Sequence, residues 1–149
     1  NRKIKFREGF RPFAPSCLEE DLGEWFEIDR PSPHMLLVDQ VKPDIRNGPR
    51  ALKAVTHVDG SARIQSVNRD QEPLYYDLIK AFKDRTGVGV VINTSMNVRG
   101  EPIVNTPDDA FLCFMRTNMD VLVMGPYLLR KGDQPAMELQ SAEEAFGLD

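Results

Sequence analysis

No apolar run in this sequence approaches the roughly 20 residues that cross a bilayer, so no membrane span is expected. Cysteine and histidine are scarce, with two of each in 149 residues. Cys17 and Cys113 lack CxxC spacing and nearby histidines, which favours reduced structural thiols over a disulfide or a nucleophile. His34 and His57 fall in neither HxxxH nor HExxH spacing, so no transition-metal site built by this chain alone is expected. The glycine-rich phosphate loop and the dinucleotide fingerprint are missing too. An excess of basic charge is also lacking. The formal net charge of -4 argues against broad binding to nucleic acid, which relies on a basic face that releases phosphate counterions.

With 41% hydrophobic and 28% charged residues, the chain has the composition of a globular protein and the length of one ordinary domain. No leader pattern precedes the dense charged opening from Asn1 to Arg11, which reads as the C-terminal piece of a longer, cytoplasmic protein. Charge is uneven along the chain. Arg2, Lys3, Lys5, Arg7 and Arg11 outnumber Glu8 at the start, whereas Glu138, Glu143, Glu144 and Asp149 make the end acidic. A local anion site on an acidic body fits this distribution.

Pro12 and Pro15 predict an extended, stiffened strand or loop at the opening. Leu18, Leu22, Trp25 and Phe26 form a helical stripe that closes before Pro31-Ser32-Pro33. Residues 35–41 read as a strand and residues 44–50 as a polar loop. The Asp59-Gly60-Ser61 step predicts a tight hairpin between strands over 54–58 and 62–67. From Pro73 to Arg85 the apolar residues Leu74, Leu78, Ile79 and Phe82 predict an amphipathic helix stopped at Gly87. Residues 88–92 form a β-branched run expected to be a buried strand. Thr106-Pro107-Asp108-Asp109 carries a helix start, with Asn118 as terminator. Late strands are expected over 121–124 and 127–129, followed by a polar tail over 132–149 with a weak terminal helix.

Two short patterns carry the candidate chemistry. Lys5 and Arg7, with Arg11 four residues on, share one side of an extended chain because odd positions share a face. A charged edge strand shows the same alternation, so a solvated basic edge stays open. The second pattern, Asn93-Thr94-Ser95-Met96-Asn97, follows the apolar strand and offers amide and hydroxyl groups that orient an anion without adding charge. It reads equally as a turn after a buried strand. Strand ends are where ligands gather in open α/β sheets, and Gly100 lets backbone approach a ligand closely. Asn93-Thr94-Ser95 also matches a glycosylation sequon, read here as accidental. His57 and Arg63 flank the hairpin turn. His57 is either a satisfied strand histidine or a ligand contact, and Arg63 is the easier of the two to defend as a phosphate contact because its charge is permanent.

Lys5-Phe6-Arg7-Glu8, Arg11-Pro12-Phe13-Ala14-Pro15-Ser16, His57 to Arg63, Asn93 to Asn97, Gly100-Glu101-Pro102-Ile103-Val104 and Thr106-Pro107 together resemble the C-terminal domain of the O-carbamoyltransferases that modify nodulation factors and antibiotics. The resemblance implies an α/β fold of YrdC type, a twisted mixed sheet with flanking helices over residues 1–131, leaving 132–149 as an acidic tail. It implies that Lys5, Arg7 and Arg11 are catalytic and that His57, Arg63, Asn93, Ser95 and Asn97 bind substrate or nucleotide. The implied ligands are ATP with Mg²⁺ and carbamoyl phosphate, and the implied product is a carbamoyl-adenylate. An upstream sugar-kinase-like domain of the same protein, carrying iron, would transfer the carbamoyl group to an acceptor hydroxyl. Two other readings remain at this point. One is a threonylcarbamoyl-adenylate-forming domain of transfer-RNA modification, and the other is a noncatalytic nucleotide- or RNA-binding module.

Overall fold

Strands from the centre of the sequence make the larger sheet. In a computed structural model, which describes residues 1–147, the chain forms two units. The middle unit is Pro12–Thr94, and the terminal unit combines Asn1–Arg11 with the chain from Ser95 onward. The architecture is mixed α/β, with a mixed four-stranded sheet, a second small sheet and flanking helices.

The middle unit holds β1 (Ala14–Leu18), α1 (Leu22–Trp25), β2 (Leu37–Gln40), α2 (Pro43–Asn47), β3 (Ser61–Val67), α3 (Pro73–Thr86) and β4 (Val90–Asn93). Its strand order is β2-β3-β1-β4, with β1 parallel to β3 and the other two pairings antiparallel. All five β1 residues are buried, as a central strand requires. Pro15 is tolerated there because β3 pairs with β1 only from Ser16 onward, so the missing donor removes no β3 bond. One core cluster gathers Cys17, Leu22, Trp25, Phe26, Val41, Ile45 and Ile64, and a second gathers Leu18, Val67 and Ile79.

Several expectations change here. The stripe from Leu18 to Phe26 is not one helix. Leu18 ends β1 and packs on Val67 and Ile79, a 3-10 turn spans Glu19–Asp21, and α1 begins at Leu22. The Asp59-Gly60 turn forms, with Gly60 at φ 84 and Asp59 accepting from the Ser61 N–H at 3.0 Å. Residues 54–58 are not a strand, however, because β2 occupies the antiparallel place beside β3. The expected loop over 44–50 contains α2, started by Pro43 and anchored by buried Ile45. Helix α3 ends at Gly87 in the left-handed conformation, as expected (φ 74). It buries Ile79 (0% exposed) rather than its longer stripe, for Leu74 remains 80% exposed. The last strand of this unit, β4, is half-open rather than buried, with Ile92 exposed.

The terminal unit holds α4 (Pro107–Arg116), β5 (Val121–Met124), β6 (Tyr127–Arg130) and α5 (Ala142–Phe146). Thr106 caps α4 through a reciprocal box, accepting from the Asp109 N–H at 3.1 Å while the Asp109 carboxylate accepts from the Thr106 N–H at 3.0 Å. The helix ends at Thr117, one residue before the expected Asn118, where the Thr117 hydroxyl donates to the Cys113 and Phe114 carbonyls. Strands β5 and β6 form a hairpin closed by Gly125-Pro126, with Gly125 at φ 54. The polar tail contains α5, whose Phe146 packs on a small core of Val98 and Cys113 with Phe6, Met96, Val104 and Met119. Asp149, part of the expected acidic end, lies outside the described residues. Among the described residues no helix is long and apolar enough to cross a membrane.

Candidate functional site

The opening segment is built on Phe6. Its side chain packs on the Val98 and Cys113 core, and its backbone takes the left-handed region at φ 49, which costs a non-glycine residue about 1–2 kcal/mol. Of the extended strand or loop expected from its prolines, the segment is therefore a loop, and a run of turns rather than extended. Asn1 closes it, accepting from the Arg7 Nε at 2.7 Å and donating to the Arg11 carbonyl at 2.6 Å. The Arg99 N–H donates to the Lys5 carbonyl at 3.0 Å, and the Asn118 amide donates to the Lys3 carbonyl at 3.3 Å. These ties hold the arm against the chain that follows Thr94.

The facing corner is equally constrained. Ser95 Oγ donates to Asn97 Oδ1 at 2.6 Å, and Asn97 Nδ2 donates to the Glu101 carbonyl at 2.8 Å. The Glu101 carboxylate accepts from the Val98 N–H at 2.8 Å, closing a turn that needs Gly100 at φ 76. Into this corner reaches Lys5, only 5% exposed. Its ammonium donates to the Ser95 carbonyl at 2.5 Å, the Asn97 carbonyl at 2.6 Å and Asn97 Oδ1 at 2.8 Å, with Ser95 Oγ at 3.4 Å. Burial, and then the neighbouring Arg7 charge, lower the Lys5 pKa. Burial likewise lowers that of Arg7, with Arg11 adding to the effect. Like charges brought together against their own repulsion mark a place where an anion is favoured.

Lys5, Arg7, Arg11, Ser95 and Asn97 line one pocket of about 370 Å³, together with Glu8, Val98, Arg99 and Gly100. The structure thus brings together five of the eight residues singled out from the sequence. Arg99 was missed, since an isolated arginine in a turn carries no pattern of its own. Beneath the pocket, burial, and then contact with Glu101, push the Cys113 thiol up to about 12, so it is a packing group.

His57, Arg63 and Asn93 belong to the middle unit. His57 Nδ1 lies 2.9 Å from Ser61 Oγ, within the turn. Arg63 is exposed on β3 opposite Val38. Asn93 ends β4, where its amide nitrogen donates to Gln65 Oε1 and lies 3.4 Å from the Met35 sulfur. Gln65 Oε1 also accepts from Ser16 Oγ at 2.6 Å, so Asn93, Gln65 and Ser16 form one neutral network. Gln65 drew no notice in the sequence because a single amide in a strand is an ordinary surface residue.

Comparison with known proteins gives this geometry a family. The model described as Carbamoyltransferase C-terminus matches residues 1–131. An uncharacterized protein of Synechocystis, sll1178, is 50% identical over 167 residues, covering 100% of this chain and 27% of that protein. Nodulation protein NolO of Bradyrhizobium diazoefficiens is 48% identical over 134 residues, covering 88% of this chain and 24% of that one. The 3'-hydroxymethylcephem-O-carbamoyltransferase of Amycolatopsis lactamdurans is 43% identical over 122 residues, covering 81% and 22%. The chain spans about a quarter of the length of these relatives. Its motifs and its match over most of its length make it a member of the carbamoyltransferase C-terminus family.

Proposed function

We propose that this domain binds ATP and carbamoyl phosphate and forms a carbamoyl-adenylate, which another part of the full-length protein passes to an acceptor hydroxyl. The observation that carries the reading is the seating of Lys5 on Ser95 and Asn97, which makes the basic arm and the hydroxyl-amide corner walls of the same pocket. A triphosphate needs this combination of cations to offset charge and neutral donors to fix orientation.

Carbamoyl phosphate and water give carbamate and inorganic phosphate. A carbamate oxygen then attacks the α-phosphorus of ATP, the bond to the bridging oxygen of pyrophosphate breaks, and carbamoyl-adenylate and pyrophosphate result. Negative charge grows on the leaving pyrophosphate and persists on the non-bridging oxygens, so fixed cations stabilise the transition state more than the ground state. Arg7 and Arg11 supply that field. Ser95 and Asn97 hold the phosphates in line for attack, and Lys5 positions their loop while adding its own charge. Mg²⁺ bound with ATP would neutralise phosphate oxygens. Glu8 is the single carboxylate among the lining residues and already faces arginines, so the pocket suits a metal carried by the nucleotide rather than a cage of side chains.

Exchange of labelled pyrophosphate into ATP tests the reading. Exchange that depends on carbamoyl phosphate supports it, and exchange only with bicarbonate plus threonine replaces it with threonylcarbamoyl-adenylate formation. A folded domain that exchanges with neither sinks the adenylation proposal.

A further inference from the structure

The pocket contains an anion of its own. Glu8 lies between two arginines, with Oε2 3.3 Å from Arg11 Nη2 and Oε1 3.9 Å from Arg99 Nη1. Its Oε2 atom is shielded from solvent yet has no hydrogen-bond partner among the described residues, although the side chain as a whole is 36% exposed. One oxygen of this partly exposed carboxylate therefore lacks full hydrogen bonding, and the place of the group is set by surrounding charge. Its own backbone N–H, and then Arg11 and Arg99, hold the Glu8 carboxyl below the usual range, so it stays an anion. The Arg99 side chain is exposed, but its backbone is fixed. Its backbone is tied to the Lys5 carbonyl, and it precedes Gly100 in the turn that shapes the pocket.

Resting on the nucleotide reading above, we propose that Glu8 occupies the seat of the pyrophosphate portion of the triphosphate, and that phosphate oxygens displace it onto solvent and take over Arg11 and Arg99. Arg99 thereby becomes a further phosphate-binding residue. A monoanionic carboxylate is a weaker partner for two guanidinium groups than a polyphosphate, which offers more oxygens and more charge in bidentate geometry. Glu8 therefore sets a threshold. A ligand must carry enough charge to displace it, which favours a triphosphate or pyrophosphate over a monophosphate. The returning carboxylate competes with pyrophosphate and speeds its departure.

Calorimetric titration of the chain with magnesium pyrophosphate and with adenosine monophosphate tests this. Glu8→Gln should tighten pyrophosphate at least five-fold and narrow its preference over the monophosphate, while Arg99→Gln should weaken pyrophosphate at least five-fold. In an Arg99→Gln background the gain from Glu8→Gln should shrink, because the two side chains act on one ligand. Glu8→Ala, checked for folding by circular dichroism, must follow Glu8→Gln in direction. Unchanged or weaker pyrophosphate binding in both Glu8 variants overturns the proposal, as does Arg99→Gln with wild-type affinity. Pyrophosphate binding that responds as expected, without carbamoyl phosphate-dependent exchange, would remove the adenylation reading and leave Glu8 and Arg99 in their roles. No pyrophosphate binding by the wild-type chain overturns both.

Discussion

The Nζ of Lys5 lies 2.8 Å from Oδ1 of Asn97, a contact across 92 positions of sequence. With the Ser95 and Asn97 carbonyls also on this ammonium, removing it takes a donor from part-buried acceptors, which costs about 1 kcal/mol. Lys5→Ala is expected to lower the unfolding midpoint and abolish measurable nucleotide binding. Lys5→Arg should rescue neither, because a planar fork cannot occupy a site shaped for a compact ammonium. Thermal denaturation and calorimetry on the same samples check both outcomes.

Ser95 and Asn97 should separate by mutation. Ser95→Ala removes one neutral donor, worth about 1 kcal/mol, and is expected to weaken ATP about five-fold with little change in stability. Asn97→Ala also releases the Glu101 carbonyl and one acceptor of Lys5, so it should lower both affinity and stability. Equal effects of the two substitutions on the unfolding midpoint would contradict this division.

Phe146 makes the end of the chain part of the terminal unit. Its ring packs on the Val98 and Cys113 core, and the Arg116 guanidinium lies 5.6 Å from the ring centre. Phe146→Ala should cost about 2 kcal/mol, less than the roughly 3–5 kcal/mol for a fully buried phenylalanine. Phe146→Leu should recover most of the loss. Urea unfolding of the three proteins measures it.

Alkaline pH should destabilise the fold through its thiols. Burial pushes Cys17 up to about 12 from the ordinary 9.0, and Cys113 behaves alike. Above pH 9 the unfolded chain releases these protons while the folded chain keeps them, so the unfolded state is favoured progressively between pH 9 and 12. The stability that neutral thiols confer is intact below pH 9. A Cys17→Ala, Cys113→Ala variant is expected to lose stability less steeply between pH 8 and 10 than the wild type. Parallel slopes in urea midpoints would refute the assignment.

The α4 cap offers a test away from the pocket. Thr106→Ala removes the side-chain half of the box, leaving the Asp109 N–H without its acceptor, and should cost about 1 kcal/mol, whereas Thr106→Ser should be nearly silent. Chemical denaturation at neutral pH gives the comparison.

Features governed by neighbours in sequence were legible before any coordinates. Thr106 and Gly87 punctuate their helices as local sterics and hydrogen bonding require, and the β5 and β6 segments pair around Gly125-Pro126. Pairing across the chain was less legible. Residues 54–58 looked like half of a hairpin, but β2 took the place beside β3, a choice no turn residue encodes. The stripe of α3 misled for a related reason: periodicity shows that apolar residues share a side, not which of them meets the sheet, and Ile79 did so while Leu74 stayed exposed. In the pocket, odd-numbered parity put Lys5, Arg7 and Arg11 together by the wrong cause. A left-handed Phe6 and the closure by Asn1 gather them, and neither leaves a mark in residue spacing.

Asn93 is the acceptor position of a glycosylation sequon, and in the folded sheet its amide nitrogen is committed to Gln65. An expression host that exports the chain would have to attach sugar before β4 settled beside β1. Any saccharide found on Asn93 would then record that the amide was still free of Gln65 when the sugar was attached, turning an idle sequon into a reporter of folding order.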